Sequence, residues 1–323
     1  MNDSSTQQHA TTQEPSGWRA ALLLYSKGIA MGLGDSVPGI SGGTIAVLTN
    51  IYDRLIFSLR AFDLDALRLL FSGQIKRAWT HINGNFLLLL AVGVLTGLLL
   101  SANTVLYLLD SHFEVLMAFF IGLVLACSYL LRRQFSVRDP VQALLLVAGI
   151  IVTAAIGFLE SREGSITGLG IFLAGAVAIC AMILPGLSGA FILLLLGMYE
   201  YMLEALLGLQ WGSIVLFVAG CVTGLLAFSR LLAWLLQRFH ARSYAFITGL
   251  LLGSLNALWP WQATSPQAVD ALDPALSTYP VWPLNYYEVT GQEPVLPGVL
   301  AMAVVGAVLV LGIHRAAHGG ANP

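Results

Sequence analysis

A chain that runs apolar for about 20 residues at a time, again and again, has few folds open to it. Inside hydrocarbon no water satisfies a backbone N–H or C=O, so only helices and closed barrels cross a bilayer. Segments of crossing length fall near 86–109, 113–131, 141–159, 213–236, 243–260 and 296–314, and each reads as one helical crossing. Of 323 residues 57% are hydrophobic and 10% are charged, whereas a soluble domain carries roughly 25% charged residues. The expectation is one bilayer-embedded domain, an all-α polytopic membrane protein.

Two further apolar stretches, 18–58 and 166–205, are each interrupted at the middle by helix breakers, SVPGISGG (Ser36 to Gly43) and LPGLSG (Leu184 to Gly189). Proline removes a backbone donor and glycine weakens a helix, so such breaks survive at membrane depth only where protein or a watery cavity surrounds them. Each stretch is therefore expected to be a re-entrant helical hairpin. Two short spans joined by a loop would give the same hydropathy.

The two stretches are also copies of each other. VPGISGGTIAVLTNIYDRLI (Val37 to Ile56) aligns without gaps on LPGLSGAFILLLLGMYEYML (Leu184 to Leu203), with Asp53 opposite Glu200. GVLTGLL (Gly93 to Leu99) aligns on GCVTGLL (Gly220 to Leu226), and AFFIGLVL (Ala118 to Leu125) on AFITGLLL (Ala245 to Leu252). The chain reads as a duplication, each half a broken hairpin followed by three transmembrane helices. Three is odd, so the second copy enters the membrane upside down, as in the inverted-topology repeats of secondary transporters. The expected layout is a disordered tail over 1–17, repeat 1 over 18–159, repeat 2 over 160–315 and a short tail over 316–323. Repeat 1 includes a surface segment at 60–85, and repeat 2 includes an opposite-side loop at 261–295.

Charge placement orients this layout. Arg60, Arg68, Lys76 and Arg77 lie in one connection, Arg132, Arg133 and Arg138 in a second, Arg238 and Arg242 in a third, and Arg315 follows the last span. If 18–58 re-enters, all of these share one side, which the positive-inside rule makes cytoplasmic, together with both termini. The opposite side carries only Arg162, and its 261–295 loop is rich in Trp, Tyr and Pro, a mixture suited to an interface. Charges mixed with leucines over 63–85 suit a helix lying on the cytoplasmic membrane surface. Cys127, Cys180 and Cys221 sit inside apolar segments without metal-ligand spacing, and read as packing residues.

A broken helix offers unpaired N–H groups and a partial positive charge where its second half begins, and anions bind such places. Gly39, Ser41, Gly42, Gly43 and Thr44, with Ser36 beside them, combine close-approach backbone with hydroxyls, which suits phosphate oxygens. Gly186, Ser188 and Gly189 repeat a reduced version. A tight packing break made of small residues is the alternative for each motif alone; its repetition at matched places favours the site. Ionisable residues in apolar segments add Lys27 and Arg230 as phosphate partners. Arg230 equally suits snorkelling toward the cytoplasmic end or pairing with a carboxylate. Asp35, Glu200 and Asp53 are the candidate proton carriers, Asp35 first, because the second copy has Met182 in its place.

GLGDSVPGISGGTIA (Gly32 to Ala46) and MILPGLSGAFILLLLGMYE (Met182 to Glu200) resemble the bacterial polyprenyl-phosphate (undecaprenyl-phosphate) transporter family, the PopT family, and the resemblance covers roughly 18–315. It implies a flippase that returns undecaprenyl phosphate from the outer to the inner leaflet of the bacterial cytoplasmic membrane for cell-wall synthesis. That role implies a polyprenyl-phosphate lipid and the bilayer as partners, no nucleic acid, and no cofactor or metal; the oligomeric state stays open. No P-loop is present, so energy would come from a gradient or from mass action.

Two rivals belong to other classes. Polyprenyl-diphosphate phosphatases resemble the chain in their re-entrant hairpins and PG-x-S loop, but that pattern continues with Arg, where this chain has Gly42 and Gly189, and it wants paired glutamates that the first hairpin lacks. Phosphoryl chemistry needs such charge stabilisation. A small-anion transporter or channel shares the broken-helix physics.

Overall fold

The structure, a computed structural model, describes residues 17–36, 41–156, 166–264 and 278–318. The expected tails over 1–16 and 319–323, the turn with Arg162, the middle of the 261–295 loop and Gly39 lie outside the described residues. Its helices are α1 (Trp18–Asp35), α2 (Gly42–Leu48), α3 (Tyr52–Arg60), α4 (Leu64–Phe71), α5 (Ile75–His81), α6 (Gly84–Ser111), α7 (Phe113–Leu131), α8 (Pro140–Ile156), α9 (Gly168–Ile183), α10 (Gly189–Leu195), α11 (Tyr199–Leu207), α12 (Trp211–Arg238) and α13 (His240–Gly253). An antiparallel ribbon of β1 (Gln262–Thr264) and β2 (Thr278–Pro280) follows, with Ala263 opposite Tyr279, then α14 (Pro283–Thr290) and α15 (Leu296–His318).

Among the described residues, Gly84–Ser101, Phe113–Gln134 and Trp211–Arg238 are helical, long and apolar enough to cross a bilayer. The chain is an all-α membrane protein of several passes. A fourth crossing would be α10 with α11, bent by 109° at their junction. Pro140–Ile156 and Leu296–Gly312 are apolar but shorter, and the expected 243–260 crossing is α-helical only to Gly253, passing into a 3-10 turn at Ser254–Asn256. The turn follows a close run against α8, where a Cβ on Gly249 would lie 2.1 Å from the Leu146 carbonyl oxygen and one on Gly253 2.7 Å from that of Ile150.

The internal sequence match is carried into the elements. α2 and α10 each have seven residues, α3 and α11 nine, and α6 and α12 twenty-eight. Ser41 and Ser188 are the N-caps of α2 and α10, their side chains accepting from the N–H groups of Thr44 and Phe191. Asn50 and Gly197, equivalent in the alignment, both take left-handed backbone (φ 57° and 62°) in the turn that follows. Pairing between helices repeats too: α1 runs along α6 as α9 runs along α12, while α8 packs on α13 and α15 on α7. The last helix of each half is thus exchanged onto the other half.

Small residues let these pairs approach. Gly28 and Gly32 of α1 face Gly93 and Gly97 of α6, so closely that a Cβ on Gly97 would lie 2.2 Å from the Ile29 carbonyl oxygen. Without a hydrophobic difference between lipid and leucine, such backbone proximity is a main source of helix association. The buried core gathers Tyr52, Ile56, Met117, Val124, Leu236, Ile247 and Leu251, with α2 and α3 in its middle. Trp261, Ala263, Val281, Tyr286 and Val299 form a second cluster over one end of α7 and α15, where the Tyr286 hydroxyl donates to Glu114 at 2.8 Å.

Replacing Gly97 with Leu inserts bulk where two backbones touch and is expected to cost on the order of 1–3 kcal/mol, read as a lowered melting temperature in detergent, whereas Gly73→Leu, with nothing within 4 Å of its Cβ direction, is expected to cost only what its positive φ of 73° imposes. Equal shifts for both would contradict the close α1–α6 contact.

Candidate functional site

The first break opens where α1 ends. Asp35 is the last residue of α1, and its carboxylate accepts from the backbone N–H of Gly42, the first residue of α2. Hydrogen bonding to a helix start is favoured by the positive end of that helix. The contact also explains the glycine: a Cβ on Gly42 would lie 2.6 Å from Asp35 Oδ2. Ser36 bonds back to the Gly32 carbonyl at 3.0 Å and pairs with the Ser101 hydroxyl of α6. The polar end of α1 is thereby folded onto the start of α2, and α2 packs back against α1.

The second break closes against the first. Pro185, fully buried, interrupts the chain after α9, and Gly186 turns with φ 85°, a left-handed value that favours glycine. Its N–H donates to Thr44 Oγ1 at 3.0 Å, while the Ser41 hydroxyl donates to the Leu184 carbonyl at 3.3 Å. Gly43 fits beneath, where a Cβ would come within 2.5 Å of the Ile183 carbonyl oxygen. Ser41 is 1% exposed and Thr44 2%. An unpaired buried donor costs about 1–3 kcal/mol, and every donor named here has an acceptor from the other strand of its hairpin or from the other hairpin.

The structure therefore brings together Asp35, Ser36, Ser41, Gly42, Gly43, Thr44 and Gly186 from the sequence-derived set. Ser188 and Gly189 start α10 one turn further on, with Gly189 packed on Ala178 and Met182 of α9. Lys27 sits elsewhere along α1, donating to the Thr49 carbonyl at the end of α2 at 3.0 Å. Arg230 is exposed, its guanidinium donating at 2.7 Å to Phe62 O and at 2.7 Å to Leu226 O. It ties α12 to the end of α3, the snorkelling role weighed above, and does not meet the hairpin tips. Asp53 accepts from the Tyr244 hydroxyl at 2.9 Å, and Glu200 is exposed on α11.

Ser101 and Tyr244 were not among the sequence candidates. Ser101 carried a signal, a hydroxyl inside an apolar span that needs an acceptor. Tyr244 carried none, because its partner is 191 residues away.

A family model described as undecaprenyl phosphate translocase-like matches residues 31–273. A protein of Vibrio cholerae named polyprenyl-phosphate transporter is 38% identical over 304 residues, 92% of this chain and 97% of that protein. A protein of Staphylococcus aureus with the same name is 31% identical over 257 residues, 74% of this chain and 86% of that protein. No solved structure matches the chain. These names describe transport rather than catalysis, and with three quarters of its length inside the family model the chain belongs to the undecaprenyl phosphate translocase-like family.

Proposed function

We propose that this chain carries a polyprenyl phosphate, undecaprenyl phosphate or a close analogue, from the outer to the inner leaflet of the bacterial cytoplasmic membrane, with the two hairpin tips as the phosphate site. The observation that carries this reading is the meeting of the breaks: Thr44 and Gly186, 142 residues apart, share a hydrogen bond in a buried polar cluster. A polyprenyl tail can stay in lipid throughout, so only the phosphate needs a polar path. Broken helices facing one another between two repeats supply such a path. The equal lengths of equivalent helices and the matched pairing support an inverted repeat with two re-entrant hairpins, and the basic connections support cytoplasmic termini.

The donors that a phosphate would use are held by internal stand-ins. The Asp35 carboxylate occupies the Gly42 N–H, Thr44 Oγ1 the Gly186 N–H, and the Leu184 carbonyl the Ser41 hydroxyl. A dry, empty pocket would otherwise leave these donors unsatisfied. Drawing the tips apart releases them one for one to phosphate oxygens. Asp35 and the phosphate are like charges competing for one donor, so binding favours a protonated Asp35. That competition links a proton to each phosphate and gives the transport its energy source without ATP. Asp53, paired with Tyr244, and Glu200 are farther from the tips and secondary as proton carriers, while Ser188, Gly189 and Lys27 frame the hairpins rather than touch the cluster.

The direct experiment places labelled polyprenyl phosphate in one leaflet of proteoliposomes and follows headgroup accessibility. Faster exchange than in empty liposomes is expected; an unchanged rate contradicts the proposal, and release of inorganic phosphate from the diphosphate would indicate a hydrolase instead. Ser41→Ala and Thr44→Val are each expected to slow transport by about tenfold, the equivalent of ~1.4 kcal/mol for one lost hydrogen bond, with membrane insertion intact. Arg230→Ala is expected to leave the rate unchanged and lower only the melting temperature. Asp35→Asn is expected to flatten the pH dependence of transport, and an unaltered pH profile would remove Asp35 as the proton carrier.

A further inference from the structure

The connection between α3 and α6 folds into a helical hairpin whose outer face has no protein against it among the described residues. Asp63 caps α4, accepting from the N–H groups of Asp65 and Ala66 at 3.0 and 2.9 Å, and its carboxylate meets the His81 ring at 3.1 Å. These contacts hold the carboxyl of Asp63 below the usual carboxylate range, the Ala66 N–H first among the causes. Beside that contact, near the end of α5, Trp79 donates its ring N–H to Asn85 at 2.8 Å, and its ring lies over Gly84. The hairpin is thus closed at its mouth and fastened to the first turn of the crossing helix α6.

Its two faces differ in chemistry. Leu64, Leu67 and Phe71, spaced i, i+3 and i+7 on α4, are 70%, 48% and 85% exposed, and Ile75 at the start of α5 is 64% exposed. Ala66 and Leu69 of α4 are half-buried and Ala78 of α5 is buried, so the inward positions are filled. A shallow cleft at the turn is lined by Gly73, Gln74, Ile75, Lys76 and Arg77. The acids of the hairpin are engaged within it, Asp63 as described and Asp65 by Arg68 at 3.0 Å. Lys76 and Arg77 therefore leave the turn cationic beside exposed apolar side chains.

We infer that the α4–α5 hairpin is an amphipathic foot seated in an anionic lipid surface, with Leu64, Leu67, Phe71 and Ile75 among the acyl chains and Lys76 and Arg77 on headgroup phosphates. Two observations favour lipid over a protein partner. The foot is joined through Trp79 and Asn85 to a helix that itself crosses the bilayer, so its apolar face lies within reach of that surface. Cations bordering an apolar face match anionic headgroups, each basic side chain near such a surface contributing about 1 kcal/mol. The foot would fix the entry angle of α6, and through the α1–α6 contact the position of the first hairpin. It would also hold negatively charged lipid at the end of the protein where Lys76 and Arg77 lie.

The test uses the full chain in nanodiscs, where both faces are open to solvent, in a C180A/C221A background. An environment-sensitive fluorophore is attached at Phe71→Cys or, on the opposite side of α4, at Asp65→Cys. In discs containing phosphatidylglycerol, the probe at position 71 is expected to be shielded from aqueous iodide several-fold more than the probe at 65, and to be quenched by lipids labelled near the headgroup. K76E/R77E is expected to reduce that shielding in anionic discs and to leave it unchanged in discs of phosphatidylcholine alone. Equal iodide access at both positions overturns the foot. Shielding at position 71 without quenching by labelled lipid also overturns it, in favour of a second copy or another protein. Shielding indifferent to K76E/R77E and to lipid charge overturns the anionic preference. None of these readouts depends on lipid transport, so failure here is distinguishable from failure of the hairpin-tip site.

Discussion

Everything in this fold depends on how two interrupted helices satisfy their backbone where they meet in the buried core. The break at Pro185, which is fully buried, leaves backbone N–H and C=O groups away from water, and each such group left alone costs several kcal/mol. The solution is reciprocal. The first hairpin lends the Thr44 hydroxyl to the Gly186 N–H of the second, and the second lends the Leu184 carbonyl to the Ser41 hydroxyl of the first. The Gly186 N–H and the Ser41 hydroxyl each find an acceptor on the other hairpin, so the halves are held in register by polar contacts at the core as well as by glycine-mediated packing around it.

The duplication is faithful in outline and unequal in chemistry. Thr44 of the first hairpin corresponds to Phe191 of the second, and Asp35 to Met182. Helix lengths and N-caps repeat, yet the titratable carboxylate and the bridging hydroxyl belong to one copy only. Repetition supplies matched helices and caps; asymmetry places the carboxylate and the bridging hydroxyl of the polar cluster on the first copy. The Asp35 carboxylate, accepting from the Gly42 N–H, also keeps that helix-start donor satisfied.

Much of the architecture was legible in the sequence because it follows from local constraints. Gapless repetition around PGISGG and PGLSGA located α2, α3, α10 and α11, and runs of apolar residues located α6, α7 and α12, since period and length are properties of short windows. Leucines mixed with charges marked α4 and α5. What remained illegible depends on distant pairing: Tyr244 with Asp53, Ser101 with Ser36, and the exchange of α8 and α15 between halves. Arg230 shows the same limit from the other side. Its charge inside an apolar span demanded a partner, but only the fold could say that the Phe62 and Leu226 carbonyls provide one. The ribbon of β1 and β2 is three residues a strand, too short for alternation to register.

The most direct measurement of the central claim is thiol cross-linking between the two tips. With Cys127, Cys180 and Cys221 replaced by Ala, the pair Ser41→Cys and Leu184→Cys is treated in membranes with a short bifunctional reagent, with and without added polyprenyl phosphate. Efficient cross-linking in the empty protein, suppressed when the phosphate lipid is added and restored when it is removed, is the expected result. No cross-link in the empty protein, or one that the lipid leaves untouched, would contradict a phosphate pocket formed by the parting of the two hairpins.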